Sequence, residues 1–232
     1  MKIFKTILLS YLFIFPISYA KAEIIPDYII EKCQKAVIKD NPVKITYNYG
    51  TLSLDLSKNT AEISKVCKTD AAAGCFQGKY RQEMDMTPKN IKINEYICEY
   101  PVGSLHFDFT GAKIYITNEY KGCVARAVLR HELQHFIIWK TANDNMLSEL
   151  KNKLTTIIAQ NASIGRKYND SQYHQNNDKI MKIIYQIAGQ IADKWDRIRN
   201  TNNAELDKVD HDFTTEVNYR VCGLSHLAHH LH

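Results

Sequence analysis

The chain has 232 residues, 45% of them hydrophobic and 24% charged, with nine histidines, six cysteines and a formal net charge of +5. That length suffices for one domain with a real core, or for two small lobes sharing a cleft. Two of the positive charges, Lys2 and Lys5, lie at the extreme N-terminus, and the remainder are interspersed with acids without a block of like sign, which gives nucleic-acid binding little support.

After Lys2 and Lys5 come an apolar stretch from Ile7 to Ile17 and the small-x-small site Ser18-Tyr19-Ala20. This is the pattern of a secretory signal peptide over residues 1–20, cut after Ala20, with Ala22 the next choice. Its core is too short to span a bilayer, and no later segment approaches twenty uncharged apolar residues. Residues 21–232 are therefore expected as one exported domain, periplasmic or secreted, with no stable membrane insertion after cleavage. All six cysteines (Cys33, Cys67, Cys75, Cys98, Cys123, Cys222) fall in this part. An even count in an exported chain predicts disulfides, with fifteen pairings open for three bridges. Cys67 with Cys75 would close a short loop, and Cys98 with Cys123 would staple the strand region to the helix that follows. No C-x-x-C pair exists to suggest a cysteine-ligated zinc.

From Lys44 to Ser57 apolar residues alternate, with Ile45, Tyr47 and Tyr49 before Gly50 and Leu52, Leu54 and Leu56 after it; this predicts a β-hairpin. Ala61 to Thr87, rich in Gly, Lys, Ala and Gln, is expected to be irregular and tied by disulfide. Ile91 to Ile97 suggests a short strand. Leu105, Phe107 and Phe109, the Thr110-Gly111 turn and Lys113 to Thr117 predict a second hairpin.

Beyond Gly122 the apolar period changes from two to about 3.6. Cys123 to Ala142 contains neither Gly nor Pro and holds His131-Glu132-Leu133-Gln134-His135, an H-E-x-x-H motif. On a helix, residues four apart stand on one face, so the two imidazoles can share one Zn²⁺ while Glu132 reaches the water at the metal as general base. Val124, Val128, His131, His135 and Ile138 form one stripe, Leu129, Leu133 and Phe136 another, and Arg126, Arg130 and Gln134 a polar edge, which predicts a helix buried between two layers. A kink or break is expected at Asn143-Asp144-Asn145. The stripe resumes at Leu147, Leu150, Leu154, Ile157 and Ile158, and after a polar segment a long amphipathic helix runs through Ile180, Ile184, Ile187, Ile191, Trp195 and Ile198; these two elements are expected to pack as an antiparallel hairpin. The fold class is accordingly α+β, β-rich over 21–121 and helical over 122–232, with the motif helix followed by a long helical hairpin.

A catalytic zinc usually takes three protein ligands and leaves one position for water. The extended pattern H-E-x-x-H-x-x-G-x-x-H fails, because Ile138 and Thr141 occupy the Gly and last His positions. Glu149 shares the stripe but stands eighteen residues on, about 27 Å along a straight helix. The better candidates follow the hairpin, in the order His211, Asp207, Asp210 and Glu205, with Asp207 and His211 again four apart. Tyr219 and His226 are weaker candidates for stabilising an oxyanion. The strand Lys113 to Thr117 could offer an edge to an extended peptide.

From Lys121-Gly122-Cys123-Val124 through His131-Glu132-Leu133-Gln134-His135-Phe136 the chain resembles the zincin superfamily, and more narrowly exported bacterial zinc-dependent proteases with a Cys shortly before H-E-x-x-H and an Asp/His motif near the C-terminus. The resemblance implies that His131 and His135 are zinc ligands and Glu132 the general base, in an exported zinc metallopeptidase acting on a peptide or protein. The alternative is a non-catalytic exported envelope or interaction protein on the same scaffold.

Overall fold

The computed structural model describes residues 24–69, 72–166 and 170–222; within the last helix, side chains are described for 178–209 and for Cys222. The expected signal peptide, residues 1–20, lies outside the described residues. The elements in order are α1 (Asp27–Asp40), β1 (Val43–Tyr49), β2 (Ser53–Asp55), α2 (Thr60–Cys67), β3 (Gly74–Gln77), β4 (Arg81–Ile93), β5 (Tyr96–Phe109), β6 (Lys113–Ile116), α3 (Gly122–Asn161), β7 (Ser163–Gly165) and α4 (Asp170–Val221).

Neither predicted hairpin forms. β1 pairs parallel with β5, with Ile45 opposite Leu105, and β2 pairs parallel with β6, with Leu54 opposite Ile114. Two strands thus run side by side in one sheet, pass together through residues 50–52 and 110–112, and continue side by side in a second sheet. There a Cβ on Gly50 would stand 3.1 Å from the Thr110 Cα, so glycine lets the backbones pass closely. Alternation identifies a strand and its faces but not its neighbour, which is why parallel pairs read as two hairpins. The first sheet has the order β1-β5-β4, with β7 pairing with the start of β5; the second has the order β2-β6-β3. A true hairpin joins β4 and β5, from Ile93 opposite Tyr96 to Arg81 opposite Asp108, around Asn94 at φ 56°, a left-handed conformation that Asn tolerates.

The stretch expected to be irregular holds α2, β3 and half of β4. α2 begins with a capping box: the Asn59 side chain accepts from the Glu62 amide and the Glu62 carboxylate accepts from the Asn59 amide, both at 2.9 Å. α1, not predicted, buries Ile29, Cys33 and Val37, a four-residue repeat on one face.

The helical half also differs from its expected form. Instead of a motif helix followed by a separate hairpin, α3 is one continuous helix of 40 residues that contains both the motif and the later stripe, and α4 is a single helix of 52 residues. The motif helix is itself one arm of the antiparallel pair, and among the described residues four helices, two of them within the first half of the chain, replace the predicted arrangement. No break occurs at Asn143-Asp144-Asn145, because Asn143 is buried and Asp144 accepts from Tyr49 Oη at 2.9 Å and Lys140 Nζ at 2.7 Å. The weak helix propensity of Asn and Asp yields to packing.

The core lies between the first sheet and the helices. Leu105, Phe107 and Phe109 of β5 meet Trp139, Leu147, Leu150, Leu154 and Ile158 of α3, with Ile180, Ile184 and Ile191 of α4 closing the far side. Full burial of apolar α3 side chains begins at Trp139; the motif end is only half-buried, less enclosed than the two-layer expectation.

Three disulfides fasten this frame. Cys33–Cys98 ties α1 to β5, Cys67–Cys75 ties α2 to β3, and Cys123–Cys222 ties the start of α3 to the end of α4. The short-loop pairing is as expected; Cys98 and Cys123 each take another partner, since Cys98 points into the core toward α1. Three disulfides are consistent with an exported protein, and no described helix is long and apolar enough to cross a membrane. Because Cys123–Cys222 closes 99 residues of sequence, replacing both by Ser is expected to cost roughly 2–5 kcal/mol, read as a lower midpoint in denaturant.

Candidate metal centre

Helical geometry makes the first half of the site. His131 and His135, one turn apart on α3, turn their Nε2 atoms toward each other at 3.0 Å, with ring planes at 89°. The antiparallel path of α4 brings the third group. Asp207 Oδ1 lies 2.9 Å from His135 Nε2 and 3.4 Å from His131 Nε2. The three residues offer converging ligand atoms, and they are the group among the described residues that could hold a metal ion. A tetrahedral ion with bonds of about 2.0–2.1 Å would set its ligand atoms about 3.3 Å apart, and the observed edges of 2.9, 3.0 and 3.4 Å fit that size. Two imidazoles and a carboxylate are a donor set for a borderline divalent ion. The side chains of His131 and His135 are 23% and 14% exposed and that of Asp207 is 59% exposed, so among the described residues the group lies toward the surface.

Glu132, beside His131 on the same helix, is buried where Asp207 is exposed. It is 4% exposed and is the only buried residue from Gly122 to Ile138. β3 covers it: the Phe76 amide donates to its carboxylate, and Oε2 has no hydrogen-bond partner among the described residues. Burial pushes the Glu132 carboxyl up to about 7; the charge of Asp207 adds to this, while His131 and the Phe76 amide oppose it. A carboxyl that titrates near neutrality beside two imidazoles can exchange protons at ordinary pH.

β3 lies close because it carries glycine. A Cβ on Gly74 would stand 2.6 Å from Val128 Cγ1, 3.0 Å from the Tyr115 carbonyl and 3.1 Å from Glu132 Oε1. Phe76 anchors the strand by edge contacts with Phe136 and Trp139 at 5.7 and 5.6 Å. Gly74→Ala is expected to lift β3 from α3 at a cost of about 1–3 kcal/mol, seen as a lower melting temperature.

The other predicted residues are distributed as follows. Asp207, second in the predicted order, joins the histidines. The side chains of His211, first in that order, and of Asp210 and Tyr219 lie outside the described residues, as does His226 altogether. Glu205 is exposed and does not belong to the group. Glu149 accepts from Lys153 Nζ at 2.6 Å, Lys194 Nζ at 2.7 Å and Trp195 Nε1 at 2.9 Å, and these donors, Lys153 first, hold its carboxyl down at about 2. It fastens α3 to α4 and plays no part at the motif. The predicted peptide edge is corrected as well: β6 is flanked by β2 and β3 and has no free edge, so β3 supplies the edge beside the motif. Sequence reasoning missed Asn203, whose Oδ1 lies 3.0 Å from His135 Nδ1. The available signal was its position four residues before Asp207, the same interval that separates the histidines.

Comparison with known proteins finds no family model that matches the chain, no similar curated protein and no similar solved structure. What can be said of function rests on this site.

Proposed function

We propose that the chain is an exported zinc-dependent metallopeptidase that hydrolyses peptide or related amide bonds. The observation that carries this reading is the convergence of His131, His135 and Asp207 from two helices beside a buried carboxyl on the same motif. Zinc suits the two imidazoles and one carboxylate, and when bound it supplies a water of lowered pKa and polarises the scissile carbonyl. Glu132 accepts the proton from the attacking water and returns it to the leaving amine. A purely structural metal site would need the histidines without an acid between them, which favours catalysis over a non-catalytic binding scaffold. Since Thr117 N donates to the Ala73 carbonyl and the pairing of β3 with β6 is antiparallel, the alternate residues Gly74 and Phe76 turn their backbone groups away from β6; the Phe76 amide is taken by Glu132, and the Gly74 amide and carbonyl are the groups with which an extended peptide can pair beside Glu132.

Incubating the mature protein with zinc and a mixed peptide library, and reading new termini by mass spectrometry, tests this. Cleavage that disappears with Glu132→Gln is the expected result. A library untouched by zinc-loaded protein would instead support the binding-scaffold reading.

A further inference from the structure

We infer that Asn203 is a positioning residue for the metal centre: its side-chain oxygen accepts the Nδ1–H of His135 and so holds the imidazole with its Nε2 lone pair aimed at the ion. The inference deepens the metallopeptidase reading and rests on the same site.

An imidazole binds a metal through one nitrogen only if the proton sits on the other, and a neutral ring left to itself distributes that proton between both. His135 has Asp207 at 2.9 Å from Nε2 and Asn203 at 3.0 Å from Nδ1. Only the arrangement with the proton on Nδ1 leaves Nε2 for the ion, and an acceptor at Nδ1 favours it. Asn203 can serve because it lies on the same face of α4 as Asp207, four residues earlier, so that the helix presents one residue to the metal and one to the back of a ligand. The pairing N-x-x-x-D on α4 thus meets H-x-x-x-H on α3 across the antiparallel interface. That register is set away from the site, by the Glu149 contacts with Lys194 and Trp195 and by Cys123–Cys222. An amide in this position orients the ring without adding a negative charge to a centre that already holds Asp207.

The test is zinc affinity, measured by competition with a chelator of known strength, on the mature chain with His226, His229, His230 and His232 changed to Ala. Asn203→Ala should bind zinc about 10–100-fold more weakly than the parent, and Asn203→Asp, which keeps the acceptor, should restore binding. A parent and an Asn203→Ala protein of equal affinity would overturn the inference. Nitrogen NMR of His135 in the metal-free Asp207→Ala protein, where no carboxylate competes for a proton on Nε2, gives a second reading: the Nδ1–H form predominates while Asn203 is present and is depleted when Asn203→Ala is added, whereas unchanged tautomer populations would contradict the assignment. If the parent binds no zinc, the metallopeptidase reading fails, and the NMR comparison alone decides whether Asn203 orients His135.

Discussion

Glu132→Gln should abolish most of the hydrolysis, by about 10²–10⁴-fold, while leaving the zinc content unchanged. The substitution preserves size and the acceptor that receives the Phe76 amide, and it removes only the capacity to take a proton. The same variant has a second, independent signature in the zinc-free protein. Because the folded-state pKa is raised from 4.5 to about 7, the folded chain binds its proton more tightly than the unfolded chain. Stability contributed by this group is therefore highest below pH 4.5, falls as pH rises toward 7, and is level above that, with a total loss of about 3 kcal/mol. Gln carries no such penalty. Chemical denaturation with a chelator present should show wild type losing stability between pH 5 and 7 relative to Glu132→Gln, and the variant more stable at pH 8. Parallel pH curves for the two proteins would refute the buried, proton-exchanging carboxyl.

The second large effect concerns Asp207. If the total free energy of zinc binding in protein sites, about 10–16 kcal/mol, is shared among three or four ligands, losing one weakens binding by roughly 10²–10⁴-fold. Asp207→Ala is expected to show that loss in chelator competition, with little change in folding, since its side chain is largely exposed. Hydrolysis at limiting zinc should fall with it. Asp207→Glu, one methylene longer on the same face, should recover part of the affinity.

How much of this was legible beforehand follows the range of the interactions. The motif was readable because its geometry is local: four residues on a helix place His131 and His135 together whatever surrounds them. The third member depends on how two long helices register, and the sequence offers acids and a histidine on successive turns from Glu205 to His211 with nothing to say which turn faces the motif. Asp207 is therefore one candidate among several, and Asn203, an uncharged amide, carries no such mark beyond a spacing from Asp207 that repeats that of the histidines. The parallel courses of β1 with β5 and of β2 with β6 are long-range choices that alternation does not encode. Two other misses were local. Ile29, Cys33 and Val37 mark the buried face of α1, and Gln82, Met84 and Met86 alternate along β4 with Arg81, Glu83 and Asp85. Both signals were obscured by polar neighbours. At Asn143-Asp144-Asn145 the opposite holds: local propensity points to a break, and the burial of Asn143 with the Tyr49 contact to Asp144 keeps the helix continuous.

The most direct test of the metal centre is zinc content by elemental analysis of the purified mature protein, with the four terminal histidines replaced by Ala so that they cannot retain metal. The account predicts about one zinc per chain in this parent and its loss in both His135→Ala and Asp207→Ala. A parent that holds no zinc, or an Asp207→Ala protein that keeps a full equivalent after chelator challenge, would contradict it.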